Sequence, residues 1–175
     1  MHRLIVGALV GALAATAFAQ PPPAQPAGPP RCVGAESRQF DFWIGEWNVT
    51  DQQTGQHAGE SRIEKLYGGC VLRENWSSDG FTGGSLNSWW KGDRKWHQTW
   101  MDQAGAFRHF IGGLAGNQMI MTAEQPDPRD PSKTVLVRLT FTPNPDGTVR
   151  QYSDFSRDGG KTWQLRYDYL YRRMQ

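Results

Sequence analysis

Phe40-Asp41-Phe42-Trp43-Ile44-Gly45-Glu46-Trp47 opens a series of strand-length segments that runs on to Tyr169-Leu170-Tyr171-Arg172-Arg173. Between these points, segments rich in Trp, Tyr, Phe, Val, Ile and Thr alternate with Gly, Asp and Asn turns, and no stretch holds a helical period. The pattern predicts ten strands, at about 42–51, 58–66, 70–77, 83–91, 95–102, 105–112, 117–124, 133–142, 147–156 and 161–173. Turns are expected at Asp51 to Gln56, Gly92-Asp93-Arg94, Pro143 to Gly147 and Asp158-Gly159-Gly160. Gln125 to Ser132, with Pro126, Pro128 and Pro131, reads as the one longer loop. Hairpin-sized connections make a sequential antiparallel meander the simplest topology, and closing such a sheet removes its edges. The expected fold is therefore all-β: a roughly ten-stranded up-and-down barrel.

The residues before this domain read as an address. Arg3 supplies a basic n-region, Leu4 to Ala15 an apolar stretch too short for a comfortable span, and Ala17-Phe18-Ala19 a small-x-small cleavage site. Residues 1–19 are thus expected to be a signal peptide, 20–31 a Pro/Ala-rich leader, and 32–175 the barrel, in a periplasmic or secreted protein. The leader has little to bury and suits an extended polyproline-like conformation. Without Arg3 the chain keeps 18 Lys and Arg against 17 Asp and Glu, a net charge of +1 (18 − 17). Charges so evenly mixed give no footprint for nucleic acid, nor for a membrane surface after cleavage.

Cys32 and Cys70 are the two cysteines. Export favours pairing them, whereas the alternative leaves Cys70 buried and Cys32 free. Two thiols without nearby histidines cannot complete a zinc tetrahedron.

Alternation assigns the faces. Trp96, Gln98 and Trp100 share one side of their strand, and Glu74 shares a side with Trp76. In the last strand Trp163, Leu165, Tyr167, Tyr169 and Tyr171 lie together, opposite Gln164, Arg166, Asp168 and Arg172. Val135, Val137, Leu139 and Phe141 share a face with Leu136, Arg138 and Thr140 behind them. Aromatics mixed with polar groups suit a lumen that holds an amphipathic molecule, with Glu74, Trp76, Trp96, Gln98, Trp100 and Arg138 as its expected ligand-binding residues. The plainer alternative makes the tryptophans barrel core and the polar groups its rim.

Two motifs have structural roles. Gly45-Glu46-Trp47 resembles the lipocalin opening, and that resemblance implies that Trp47 plugs the barrel floor under a cation–π contact from Arg172 or Arg173. Ser156-Arg157-Asp158-Gly159-Gly160-Lys161-Thr162-Trp163 follows the Asp-box hairpin pattern. There Asp158 accepts turn N–H groups, Gly160 permits positive φ, and Trp163 packs beneath. A sialidase propeller would repeat this box; here it occurs once.

Together with Gly69-Cys70-Val71-Leu72-x-Glu74-x-Trp76, Trp96-x-Gln98-x-Trp100 and Tyr171-Arg172, these motifs resemble a domain-of-unknown-function family of exported bacterial proteins. The resemblance runs from about Gln39 onward and implies no established activity. Its wider likeness is to the calycin group of lipocalins, fatty-acid-binding proteins and nitrobindin-like haem barrels, which implies a barrel and, by analogy, a lumenal ligand.

Enzyme signatures are sparse. Gly83-Gly84-Ser85-Leu86-Asn87 lacks the last glycine of a nucleophile elbow, and there is no phosphate-cradling loop or His-Glu-x-x-His. His57 adjoins a turn; His97 and His109 could pair, yet with no carboxylate in either motif they make a poor metal site. No histidine follows His109 to serve a haem. Neither a metal nor another cofactor is expected. Three readings remain: a small-ligand-binding barrel; a calycin-type lyase, isomerase or cyclase with Glu74 as general acid/base beside His109 or Arg138; and a structural or protein-interaction module. A Glu74 buried beside Gln98 with a raised pKa favours the enzyme, and a surface Glu74 over an all-aromatic lumen favours binding.

Overall fold

A computed structural model describes residues 32–175; the expected signal peptide and the leader lie outside the described residues. Ten strands follow one another: β1 Gly45–Asp51, β2 His57–Leu66, β3 Val71–Ser78, β4 Phe81–Trp90, β5 Lys95–Asp102, β6 Phe107–Ala115, β7 Gln118–Asp127, β8 Asp130–Pro143, β9 Val149–Ser156 and β10 Gln164–Arg173. Each pairs antiparallel with its neighbours in sequence, and β1 pairs with β10, so the sheet closes as an up-and-down barrel. No helix among the described residues is long and apolar enough to cross a membrane.

Three boundaries differ from the sequence expectation. Asp41–Trp43 forms a single 3₁₀ turn, so β1 starts at Gly45. That turn lets Phe40 and Trp43 fold under the barrel instead of extending along its wall. The segment 125–132 is no long loop: β7 and β8 run on through it and pair Asp127 with Asp130. Pro128 occupies the turn position where its fixed φ is favourable, Asp127 Oδ1 accepts the Arg129 N–H at 2.9 Å, and Arg157 clamps Asp127 from the neighbouring hairpin. The Asp-box residues 157–163 form the connection to β10 and lie outside that strand.

Within that box Asp158 accepts the backbone N–H groups of Lys161 and Thr162 and the Thr162 hydroxyl, with the Thr162 bonds foremost in drawing its pKa down. Gly160 has φ +90°, and the Trp163 indole N–H donates to its carbonyl at 2.9 Å. The box is a folding device, as its composition suggests.

The barrel is closed at one end. Phe40 stacks on Trp43 with centroids 5.0 Å apart, and both lie against Phe141 at 4.9 and 4.8 Å. Trp47, Trp96 and Tyr171 complete a fully packed floor, and the Trp47 indole N–H donates to the Trp43 carbonyl at 2.9 Å. Arg173 lies over Trp47 at 4.5 Å and donates to the Ile44 carbonyl at 3.2 Å. The expected cation–π partner is thus Arg173, not Arg172. Trp47 and Arg173 are direct cross-strand partners on one face, whereas Arg172 faces away opposite Asn48. Gly45 now has a reason: its φ is +146°, and a Cβ there would stand 2.4 Å from the Arg173 guanidinium. The Cys32–Cys70 bridge ties the segment before this floor to the start of β3. Closing a loop with 38 residues of separation is worth about 3–4 kcal/mol in the chain-entropy model.

Candidate functional site: a half-filled barrel

The floor packs only one half of the lumen. Above it lies a cavity of about 390 Å³ that reaches the hairpins at the other end of the barrel. Its size suits one small organic molecule. Two walls, one polar and one of tyrosines, give it character.

The polar wall comes from β2 to β5. Glu74 is buried, and its carboxylate accepts hydrogen bonds from Ser61 Oγ at 3.1 Å and Ser85 Oγ at 2.8 Å. Asn87 donates to Ser85 Oγ at 2.9 Å and accepts from Gln98 Nε2 at 2.8 Å. Alternation dictates this wall: Ser61, Glu74, Ser85, Asn87 and Gln98 all sit at inward positions of consecutive strands. Burial pushes the Glu74 carboxyl up to about 7, outweighing the hydrogen bonds from Ser85 and Ser61 that pull it down. At neutral pH this group can therefore accept a proton or give one.

The opposite wall is built from β9 and β10. Tyr171 donates its hydroxyl proton to Gln151 Oε1 at 2.5 Å, and Gln151 Nε2 donates to the Tyr167 oxygen at 3.2 Å. Tyr167 and Tyr169 stack at 4.6 Å, and Tyr169 stacks on Trp76 across the barrel at 5.9 Å. Desolvation raises the pKa of Tyr167 to about 12 and that of Tyr171 well above the ordinary range, so both hydroxyls stay protonated. Trp76 and Trp100 lie flat because Gly59 and Gly83 leave room for them; a Cβ at either would meet an indole carbon at 2.6 Å.

Nearer the mouth, Trp100 donates its indole N–H to Asp102 Oδ2 at 2.9 Å, and Arg108 reaches the same oxygen at 3.3 Å. That Trp100 bond is the largest cause drawing the Asp102 pKa down. Arg166 also lines the cavity. It does so through a β-bulge: Leu165 pairs with Asp154 and Tyr167 with Ser153, which leaves Arg166 as the extra residue between them. Bulges bend a strand and re-aim the residue they carry.

Of the six expected ligand-binding residues, Glu74, Trp76, Gln98 and Trp100 line the cavity. Trp96 does not. It belongs to the floor, edge-on to Phe40 at 5.7 Å, with its N–H given to Gln39 Oε1 at 3.1 Å. Arg138 is also elsewhere. Val137 and Leu139 point inward on β8, so Arg138 points outward, where it pairs with Asp154 and lies over Trp163 at 3.9 Å. His109 stands beside inward Phe110 and is likewise outside, its Nε2 3.1 Å from His97 Nδ1. The two histidines do pair, and Asp93 Oδ2 accepts from His97 Nε2–H at 2.9 Å, but no cluster among the described residues could hold a metal ion.

Sequence reading left Asp102, Arg108, Gln151, Arg166 and the tyrosines of β10 out of the ligand site, and the two arginines among them show why. Arg108 was within reach, two residues before the inward Phe110 and paired with Trp100. Arg166 was not, because alternation put it on the face opposite Tyr167.

No protein-family model matches this chain, and no curated protein matches it.

Proposed function

We propose that the chain is an exported binding protein that holds a small amphipathic molecule in the open half of its barrel. The observation that carries this reading is the asymmetry of the lumen: one half is packed dry by its own aromatics, while the other half keeps a cavity walled by Trp76, Trp100, Tyr167 and Tyr169. Flat aromatic faces supply apolar contact at small entropic cost, and the Glu74–Ser85–Asn87–Gln98 chain supplies polar groups that fix an orientation. The Cys32–Cys70 bridge fits an oxidising compartment, in line with the sequence at Ala17-Phe18-Ala19. The resemblance to calycin barrels points the same way by analogy.

The test is a fluorescence titration of unfolded, ligand-stripped and refolded protein with the neutral dye N-phenyl-1-naphthylamine. Saturable quenching of tryptophan emission with one site per chain is expected, weakened roughly tenfold or more in a Trp76→Ala, Trp100→Ala double variant. A linear, non-saturating response, or an unchanged affinity in the double variant, overturns the reading.

A second reading rests on Glu74. A buried carboxyl with a pKa of about 7 inside a cavity is matched to general acid/base work near neutral pH. The burial and raised pKa of Glu74 are the outcome expected of the enzyme, whereas neither of its expected partners, His109 and Arg138, enters the cavity, and this missing partner keeps binding as the first reading. Turnover would appear as a compound in a small-molecule extract, incubated in D₂O, that gains deuterium or changes mass with wild type and not with Glu74→Gln. Conversion that persists in the variant removes Glu74 from the chemistry.

A further inference from the structure

Arg166 stands apart from the other arginines near it. Arg138 is bound to Asp154, Arg150 to Asp168, Arg157 to Asp127 and Arg108 to Asp102. Among the described residues Arg166 makes no hydrogen bond and no ion pair; it is exposed, and its side chain lines the cavity at the mouth. The β10 bulge that turns it inward also interrupts the register of the sheet, so the position is held at some cost. It borders a second, adjoining cavity of about 120 Å³ together with Gln125, whose amide nitrogen is buried without a hydrogen-bond partner. Two sets of N–H donors without an acceptor thus border that second cavity, and Arg166 borders both cavities.

Resting on the lumen reading above, we propose that the occupant carries one carboxylate, bound at the mouth by Arg166, with its uncharged end directed toward Glu74. A planar guanidinium offers paired N–H groups that match a carboxylate's two oxygens. Charge counting sets the valence. At the mouth Arg108 and Arg166 contribute two positive charges and Asp102 one negative, leaving +1 (2 − 1) there for the ligand to neutralise, with Glu74 deeper in the cavity and outside this count. The polar wall sets the direction. Glu74 is itself an acid, so an anion beside it would be repelled, whereas a hydroxyl or amide can share hydrogen bonds with the carboxyl and its serines. Desolvation is the largest cause lowering the Arg166 pKa and the Arg108 charge also lowers it, against Tyr167 and Tyr169, which raise it; a ligand carboxylate would favour the charged guanidinium.

The experiment uses matched probes on the full mature chain. 6-Hydroxy-2-naphthoic acid and its carboxamide, and decanoic acid and decanamide, are titrated at one fixed ionic strength against wild type, Arg166→Gln and Arg166→Lys. Each acid is expected to bind wild type roughly ten- to hundredfold more tightly than its amide. In Arg166→Gln that gap should collapse through weaker binding of the acids, and a far-UV circular dichroism spectrum matching wild type certifies the fold. Arg166→Lys should retain part of the gap.

Equal binding of acid and amide to wild type overturns the carboxylate and leaves the lumen reading intact. A gap that survives in Arg166→Gln overturns the assignment to Arg166. Tighter binding of 6-hydroxy-2-naphthyl phosphate than of the carboxylate overturns the single charge. Failure of both acids, with saturable N-phenyl-1-naphthylamine binding, overturns the anionic ligand alone; failure of the dye as well removes the lumen reading with it.

Discussion

The two halves of the barrel use the same residue types to opposite ends. At the floor, Phe40, Trp43, Trp47, Trp96 and Phe141 are buried against one another, with Tyr171 at the boundary to the cavity. Above it, Trp76, Trp100, Tyr167 and Tyr169 stand against the walls and leave a cavity between them. The difference is a single strap. The 3₁₀ turn at Asp41–Trp43 drives two large rings into the bottom of the lumen, and the described residues supply no equivalent at the top. An aromatic becomes core when another element is pushed against it, and a binding surface when none is.

The largest expected effect tests this directly. Trp43→Ala should cost about 3–5 kcal/mol in urea denaturation, because it opens a void in a packed floor. Trp76→Ala, in the half-filled region, should cost about 1–2 kcal/mol, much of it from the lost stack on Tyr169. Equal costs at the two sites would erase the distinction between floor and cavity.

The next effect sharpens the comparison through pH. The folded Glu74 pKa, about 7, lies above the ordinary 4.5, so the native state holds the proton more firmly than the unfolded chain does. Stability should therefore fall as pH rises from about 4.5 to 7, by about 3 kcal/mol in total, and level off above that range. Glu74→Gln should abolish that part of the slope. Denaturant midpoints for both proteins between pH 4.5 and 8 check this; parallel curves would mean that Glu74 is not desolvated in the folded cavity.

The smallest effect is at the floor's outer edge. Arg173→Gln should cost about 0.5–1 kcal/mol, the worth of an exposed cation–π contact. Arg172→Gln should be neutral within about 0.5 kcal/mol. If Arg172→Gln costs more, the wrong arginine has been placed over Trp47.

The sequence by itself determined the strand number, the meander, the closure and the Asp-box turn, because each depends on local spacing: turn residues between period-two segments. It also grouped Glu74 with Trp76 and Gln98 with Trp100, since residues two apart share a face whatever the fold. The height of a residue along the barrel is not local, so Trp96 and Trp100, with identical signatures, went to the floor and the cavity respectively. Which side of a strand becomes the lumen is decided by the whole sheet, and that sent Arg138 and His109 outward. The bulge at Arg166 arises only when β10 is paired with β9, where seating one strand against the other leaves one residue over. Alternation carries no trace of it, and so the one arginine that the tertiary structure turns, unpaired, into the cavity was read as facing away.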